Sequence, residues 1–589
     1  MNQKWSLDNI YSSFASEEFK NDMKRFYEFI DKAKSWAKDN FSSKDNSGKK
    51  LEEYLIQGTG YTNLITRLYS FVELTLSVEA KNESALRIAD ELQQKATELT
   101  PVQVGFQKWL AELENLQEVI DASPFLKEHE FFLKETMEKN RYLLSEGEEV
   151  IISKMQTTGG SAWSKLQKML SSTLLVDIVV NGEEKHLPLP VVRNMAYEKD
   201  GAVRKIAYEA ELESYKKIEQ SSAACLNGIK GEAITIAEMR GYKSPLDNTL
   251  KNSRMDEETL EAMLTAMREY LPEFERYFLK KSELLGYKKG LPFYDMFAPM
   301  GEADMNFTYE QARKFIVENF RTFSDKLADF ADKAFENQWI DAEPREGKRG
   351  GAFCYNLHFI KESRILTNYT GSFSDVVTLA HELGHGYHGE CLNEESSLNC
   401  EYPMPIAETA SIFCETIVKN AVLKTASKEE ALTILEGSIA DAAQVIVDIY
   451  SRYLFESEVF NRRKKGSLSV NELKEIMINA QKEAYGKGLD EEYLHPYMWM
   501  CKPHYYYTEV HFYNFPYAFG LLFAKGLYAE YVKRGEEFVK EYDMLLSVTG
   551  KKKITDVTKM MNIDIHSIDF WRGSLEIIKK DIEKFIELA

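Results

Sequence analysis

Long apolar runs are missing from this 589-residue chain. No stretch of about 18 consecutive apolar residues occurs, so no segment is predicted to span a bilayer. The first residues, Met1-Asn2-Gln3-Lys4-Trp5-Ser6, do not lead into an apolar run with a small-residue cleavage site, and no secretory signal is expected. Only 6 cysteines are present (Cys225, Cys354, Cys391, Cys400, Cys414 and Cys501), none of them in a C-x-x-C pair. A chain of this size needs no disulfide staple. The cysteines read as free thiols, small and apolar, in a reducing cytoplasm. Positive charge is in deficit, with Lys+Arg 74 against Asp+Glu 94 and a formal net charge of −20. That balance repels nucleic acid and anionic lipid, so neither is an expected partner.

Proline is also scarce, 14 in all, and long stretches hold neither proline nor glycine. Apolar positions at helical spacing, such as Leu64, Leu68, Phe71, Val72 and Val78, predict helix over 61–100. Similar patterns recur near 17–37, 103–141, 197–240, 255–285, 308–336, 405–464, 505–548 and 566–588, so the fold is predicted to be mainly α. Two segments break the pattern. Residues 174–189 carry an apolar run, then Asn181-Gly182, then His186-Leu187-Pro188, the signature of a β-hairpin. Residues 350–369 read as short strands just before the most informative helix. At about 150 residues per domain the length allows about four domains. The expected division is an amino-terminal helical region at 1–195, which includes the hairpin, and a catalytic region at 196–589.

Histidine is rare too, 10 in all, yet three fall in Ala380-His381-Glu382-Leu383-Gly384-His385-Gly386-Tyr387-His388. This is H-E-x-x-H; chance supplies about 0.03 such motifs in a chain of this composition. Ser372, three before Asp375, resembles a capping box that starts the helix. Val376, Ala380, Leu383 and Tyr387 share one stripe for the core. His381 and His385, four apart, share another face and are placed to grip one metal ion, with Glu382 beside them as a base. Gly384 and Gly386 each cost the helix about 1 kcal/mol relative to alanine, which a close packing partner explains.

A catalytic zinc needs a third protein ligand and an open position. Downstream, Pro403-Met404-Pro405-Ile406-Ala407-Glu408-Thr409-Ala410-Ser411-Ile412-Phe413-Cys414-Glu415 puts two carboxylates into apolar surroundings. Such burial is costly unless the charge is paired or metal-bound. Glu408 is therefore read as the third ligand, and Glu415 as a carboxylate holding a ligand histidine's other nitrogen. His388 is read as structural or supporting, because the extended H-E-x-x-H-x-x-G-x-x-H pattern fails at His388 and Cys391. Residues 493–528 hold 13 aromatics in 36 positions, against 12% for the chain. Most are read as core. His504, then Tyr517 and Tyr513, are candidates to stabilise an oxyanion opposite the metal.

With these segments in hand, the chain resembles the oligoendopeptidase F branch of the thimet oligopeptidase family of zinc metallopeptidases. The resemblance rests on Gly351-Ala352-Phe353-Cys354, Leu366-Thr367-Asn368-Tyr369-Thr370, the HELGH helix, Ala407-Glu408-Thr409-Ala410-Ser411, Phe512 through Gly520, and the opening Trp5-Ser6-Leu7-Asp8-Asn9-Ile10-Tyr11. It implies a large multi-helical ellipsoid split by a deep substrate channel, with one zinc ion on an HExxH core that follows a short β element. It implies zinc bound by His381, His385 and Glu408, Glu382 as base, and transition-state donors among His504, Tyr513 and Tyr517, with His511 competing for the place of His504. The strand Gly351–Asn356 would offer its edge to an extended substrate.

The leading expectation is a cytoplasmic zinc endopeptidase acting on short oligopeptides. A zinc exopeptidase such as a carboxypeptidase, with the same metal site, is a second reading. A non-catalytic helical peptide-binding protein is a third, and Glu382, which no structural zinc site needs, weighs against it.

Overall fold

The computed structural model describes residues 2–180, 182–301 and 305–589. Helices dominate, and five short strands form two small sheets among the described residues. No described helix is long and apolar enough to cross a membrane. All 6 cysteines are free thiols.

Side-chain caps divide the predicted helical stretches into shorter helices. Most of 61–100 belongs to two helices, Ser47–Val78 and Glu83–Ala96, parted where the Asn82 side chain accepts the Ala85 N–H, and a 3₁₀ turn, Thr97–Leu99, follows. The first runs through Gly58 and Gly60, so burial of Leu51, Leu55, Leu64 and Leu68 outweighs glycine's helix cost. The stretch 405–464 divides at Glu408, at the Ser427 capping box and at a π-helical segment, Gln444–Asp448. The stretch 505–548 begins in a 3₁₀ turn, Pro503–Tyr506, and is then irregular until Phe515–Arg534, whose first turn contains Pro516.

The hairpin lies where expected, β1 (Leu175–Val180) antiparallel to β2 (Glu183–Pro188). Of its turn, Gly182 has the positive φ that the position demands, whereas Asn181 lies outside the described residues. The second sheet has the order β3 (Ile340–Asp341), β5 (Glu362–Leu366), β4 (Phe353–Leu357). β4 and β5 pair antiparallel, and β3, too short to read from the sequence, runs parallel to β5.

This small sheet joins the parts of the molecule. Successive strand residues face opposite sides. On β4, Phe353, Tyr355 and Leu357 pack on a core built by helices between residues 10 and 102, while Cys354 packs on a larger core running from Leu174 to Phe585. Behind the sheet, Arg364 is buried and donates to the Ser6 carbonyl and to Asn9 Oδ1. That contact explains why the opening segment carries polar residues among its apolar ones. A third core lies between Leu51 and Leu133. The large core begins at Leu174, so the hairpin packs with the carboxyl-terminal residues.

Candidate metal centre

The helix carrying H-E-x-x-H, here the motif helix, spans Phe373–Leu392. Ser372 and Asp375 form its capping box, and Asp375 Oδ2 also takes the N–H groups of Thr370 and Gly371. Val376, Ala380, Leu383 and Tyr387 are buried as one stripe. Its glycines lie at close approaches. A Cβ on Gly384 would sit 2.5 Å from the Ala410 carbonyl oxygen and 2.6 Å from Ser411 Cα. One on Gly386 would sit 2.7 Å from the Phe330 ring. Absence of a side chain at 384 therefore lets the motif helix touch the backbone of a downstream helix, Thr409–Val422, here the carboxylate helix.

That contact sets the donor triangle. His385 Nε2 is 3.1 Å from His381 Nε2. Glu408 Oε2 is 3.3 Å from His381 Nε2 and 3.5 Å from His385 Nε2. A tetrahedral ion with bonds of about 2.1 Å has ligand–ligand edges of about 3.4 Å. The three atoms thus have the spacing of three tetrahedral corners, and among the described residues this is the one group of three such donors that could hold an ion. Two imidazoles and a carboxylate are a donor set suited to zinc. Glu408 is the joint between Met404–Ala407 and the carboxylate helix, where Ser411 Oγ donates to its Oε2 at 2.8 Å.

Each donor is supported from behind. Glu415 Oε1 lies 2.6 Å from His381 Nδ1, and its other oxygen accepts from Lys419 Nζ at 2.9 Å. This leaves His381 Nε2 as the atom facing the triangle. Asn356 of β4 donates to the His385 carbonyl at 3.2 Å, and the Ala407 backbone accepts a hydrogen bond from the His385 ring. Burial opposes charge on His381, but the Glu408 and Glu415 carboxylates prevail and raise its pKa to about 10. Burial lowers that of His385 to about 4, so this ring is neutral and presents a lone pair. Burial also opposes charge on Glu408, yet His381, His385 and Ser411 together hold its pKa down at about 2.

Glu382 differs from both. It is 5% exposed, and its Oε2 is buried without a hydrogen-bond partner. Burial raises its pKa to about 7; His381 opposes the shift, and Glu408 and Glu415 add to it.

The aromatic segment faces the triad through Tyr517, which lines one cavity of about 390 Å³ together with His381, Glu408 and Glu415. Tyr517 and Tyr513 hydroxyls are 3.5 Å apart, and the Tyr513 ring lies 4.7 Å from that of His504. His504 and the two tyrosines therefore form one cluster. His511 points elsewhere: it is buried with Nδ1 3.4 Å from Lys230 Nζ, beside the Lys230–Glu456 ion pair. His388 is fully buried, stacked on Tyr402 at 4.0 Å and bonded to Thr549 Oγ1. Sequence reasoning passed over Asn356, Lys419, Arg452 and Asn514, which hold the functional side chains. Asn356 and Arg452 act on partners 29 and 62 positions away, which no spacing rule marks, whereas Lys419 stands four residues after Glu415 and could have been found as a helical ion pair.

A second cavity, of about 940 Å³, is lined by residues from 168–211, 281–299, 436–448 and 495–502. The two cavities share Asp441 and Gln444.

Residues 194–577 match peptidase family M3, and residues 111–174 match a second family described as oligopeptidase F. The chain is 23% identical to group B oligopeptidase PepB of Streptococcus agalactiae over 99% of its own length and 96% of the relative's. It is 22% identical to oligopeptidase PepF of Bacillus subtilis, over 99% of this chain and 87% of that one. The crystal structure of a Chlamydophila abortus protein superposes with a TM-score of 0.86 at 21% identity, covering 100% of this chain and 98% of that one. Oligoendopeptidase-F from Enterococcus faecium superposes with a TM-score of 0.71 at 17% identity, over 97% and 99% of the two chains.

Proposed function

Because the chain belongs to peptidase family M3 and is a metallo-endopeptidase, we propose that it hydrolyses short oligopeptides with one zinc ion held by His381, His385 and Glu408. The observation that carries this reading is Glu382. A buried carboxylate with a free oxygen, on the residue after a ligand histidine, has no structural task in the packing around it. It fits a base that takes a proton from water and returns it to the leaving amine. A pKa raised to about 7 suits a group that must both accept and release a proton near neutrality. When bound, zinc supplies Lewis acidity at this point, polarising a carbonyl and acidifying water. Tyr517 brings a phenol donor to the same cavity for the developing oxyanion, and Tyr513 and His504 are proposed as further donors because they cluster with it.

The two cavities that meet at Asp441 and Gln444 are read as one channel for an extended peptide, to whose wall the region 1–195 contributes residues between Lys168 and Asn194. A narrow channel of this kind admits short flexible chains rather than folded proteins. The absence of an apolar spanning helix among the described residues fits the proposed cytoplasmic location.

The test is digestion of a mixed peptide pool with and without chelator, with mapping of the cleavage sites. Internal cuts in short peptides, lost on chelation and restored by zinc, are expected. Trimming of single carboxyl-terminal residues would instead favour a carboxypeptidase. Glu382→Gln should keep its zinc and fold while turnover falls by about 10²–10⁴-fold; near-normal cleavage by this variant would sink the assignment.

A further inference from the structure

His504 is held by a buried polar chain that starts at a break in a long helix. The π-helical segment Gln444–Asp448 joins Lys428–Ala443 to Ile449–Arg463. Just beyond it, Arg452 forms an ion pair with Asp448 and donates from Nη1 to Asn514 Oδ1 at 2.9 Å. That same oxygen lies 2.7 Å from His504 Nδ1. Arg452, Asp448 and Asn514 are all buried.

This arrangement settles which histidine nitrogen carries hydrogen. A guanidinium has donors only, so the Asn514 atom it touches is the carbonyl oxygen and not the amide nitrogen. An acceptor oxygen at 2.7 Å in turn requires a hydrogen on His504 Nδ1. In a neutral imidazole the other nitrogen is then an acceptor. A second proton is disfavoured by burial; the Asn514 hydrogen bond and the Glu456 carboxylate favour it, and the cations of Arg452 and Lys502 oppose it. The ring also packs against the rings of Tyr507 and Tyr513, which carry no carboxylate. Had a carboxylate stood at 514, it would stabilise the imidazolium; an amide already engaged by Arg452 does not.

We infer that the Asp448–Arg452–Asn514 chain holds His504 as a neutral, Nδ1-protonated imidazole whose Nε2 accepts a hydrogen bond from a backbone N–H of the bound peptide. The inference rests on the peptidase reading above and on His504 facing the substrate. An unprotonated Nε2 repels an oxyanion, so the donors for that charge are the Tyr513 and Tyr517 phenols. An acceptor matches what every non-prolyl residue of a peptide offers, a backbone N–H. It anchors the main chain without selecting a side chain. Asp448, Arg452 and Asn514 are positioning residues in this scheme.

Two-bond 1H–15N spectra of the zinc-loaded, 15N-histidine-labelled protein report the tautomer, with His504→Gln to assign the signal. An Nδ1–H, Nε2-unprotonated ring at neutral pH is expected. An Nε2–H tautomer or a doubly protonated ring overturns the inference. In a second arm, peptides N-methylated at each position flanking the cleavage site are compared. One position should lower kcat/KM about tenfold for the parent protein and leave His504→Ala nearly unaffected. Equal sensitivity of the two proteins at every position overturns the N–H contact. Asn514→Asp keeps shape and the Arg452 contact but favours the imidazolium, so the acid limb of kcat/KM should move to higher pH at unchanged zinc content. An unmoved limb overturns the positioning role. Cleavage indifferent to chelator would instead defeat the metallopeptidase reading, while the tautomer spectrum still tests the hydrogen-bond chain by itself.

Discussion

Five carboxylate and imidazole groups within a few ångströms have different charges because their partners differ. His381 lies between two carboxylates and is drawn towards the cation; His385, four residues on, has no partner at 2.6 Å and stays neutral. Glu408 and Glu415 are held ionised by what they touch, and Glu382, with a bare oxygen, is not. Glu415 and Lys419 set the orientation of His381. Glu415→Gln removes the charge from Nδ1 while preserving shape. Zinc affinity should fall about 10–100-fold, as read by competition with a chromogenic chelator, with helix content unchanged. An affinity within twofold of the parent would show that Glu415 serves packing alone. The residue types here were legible in the sequence, since H-E-x-x-H and two carboxylates in an apolar helix demand an explanation. Which atom faces which was not, because four-residue spacing defines a face and not a rotamer.

At the level of elements, the centre is a contact between two helices. The motif helix supplies two donors and the base. Glu408 supplies the third donor from the joint before the carboxylate helix, and Gly384 controls how close the two come. Gly384→Ala gains about 1 kcal/mol of helix preference. Its new Cβ meets backbone atoms at 2.5–2.6 Å, which no side-chain rotation relieves. Overpacking of this kind costs about 1–3 kcal/mol. The expected sum is a loss of up to about 2 kcal/mol in denaturant stability, with weaker zinc binding because the Glu408 edge of the triangle lengthens. Stability gained at parental zinc affinity would contradict this account of the glycine. The two glycines were conspicuous in the sequence as helix breakers inside a helix. Only their neighbours, Ala410 and Phe330, reveal what they are for.

For the whole molecule, a small sheet joins two of three hydrophobic cores, and the third shares Phe41 and Tyr54 with the amino-terminal one. The sheet carries Asn356 to the back of the motif helix and buries Tyr355 and Leu357 against the amino-terminal helices. A metal that bridges two segments of the large core should therefore stabilise the fold by mass action. Zinc at a hundred times its dissociation constant adds about 2.7 kcal/mol. The thermal midpoint should rise with free zinc in the parent protein and show no zinc dependence in His381→Ala. A midpoint indifferent to zinc in the parent would place the ion elsewhere. The charge of −20 belongs to this scale as well. If it biases the channel towards cationic peptides, added salt should slow cleavage of basic peptides more than neutral ones. Equal salt responses would leave the charge a matter of solubility.

The sequence by itself determined the helical class, the hairpin, the strands before the motif helix and the residue types of the centre. All of these follow from short-range patterns: a 3.6-residue or two-residue period, a cap three residues from its partner, a motif closed within five positions. Tertiary structure alone decided that His504 rather than His511 joins Tyr513 and Tyr517. It also decided that Asn514 and Arg452 govern the His504 ring. Hydrogen bonds between residues 62 positions apart, such as Arg452 to Asn514, depend on how helices stack. Stacking is set by the volumes and close approaches of many side chains together, which no local pattern encodes.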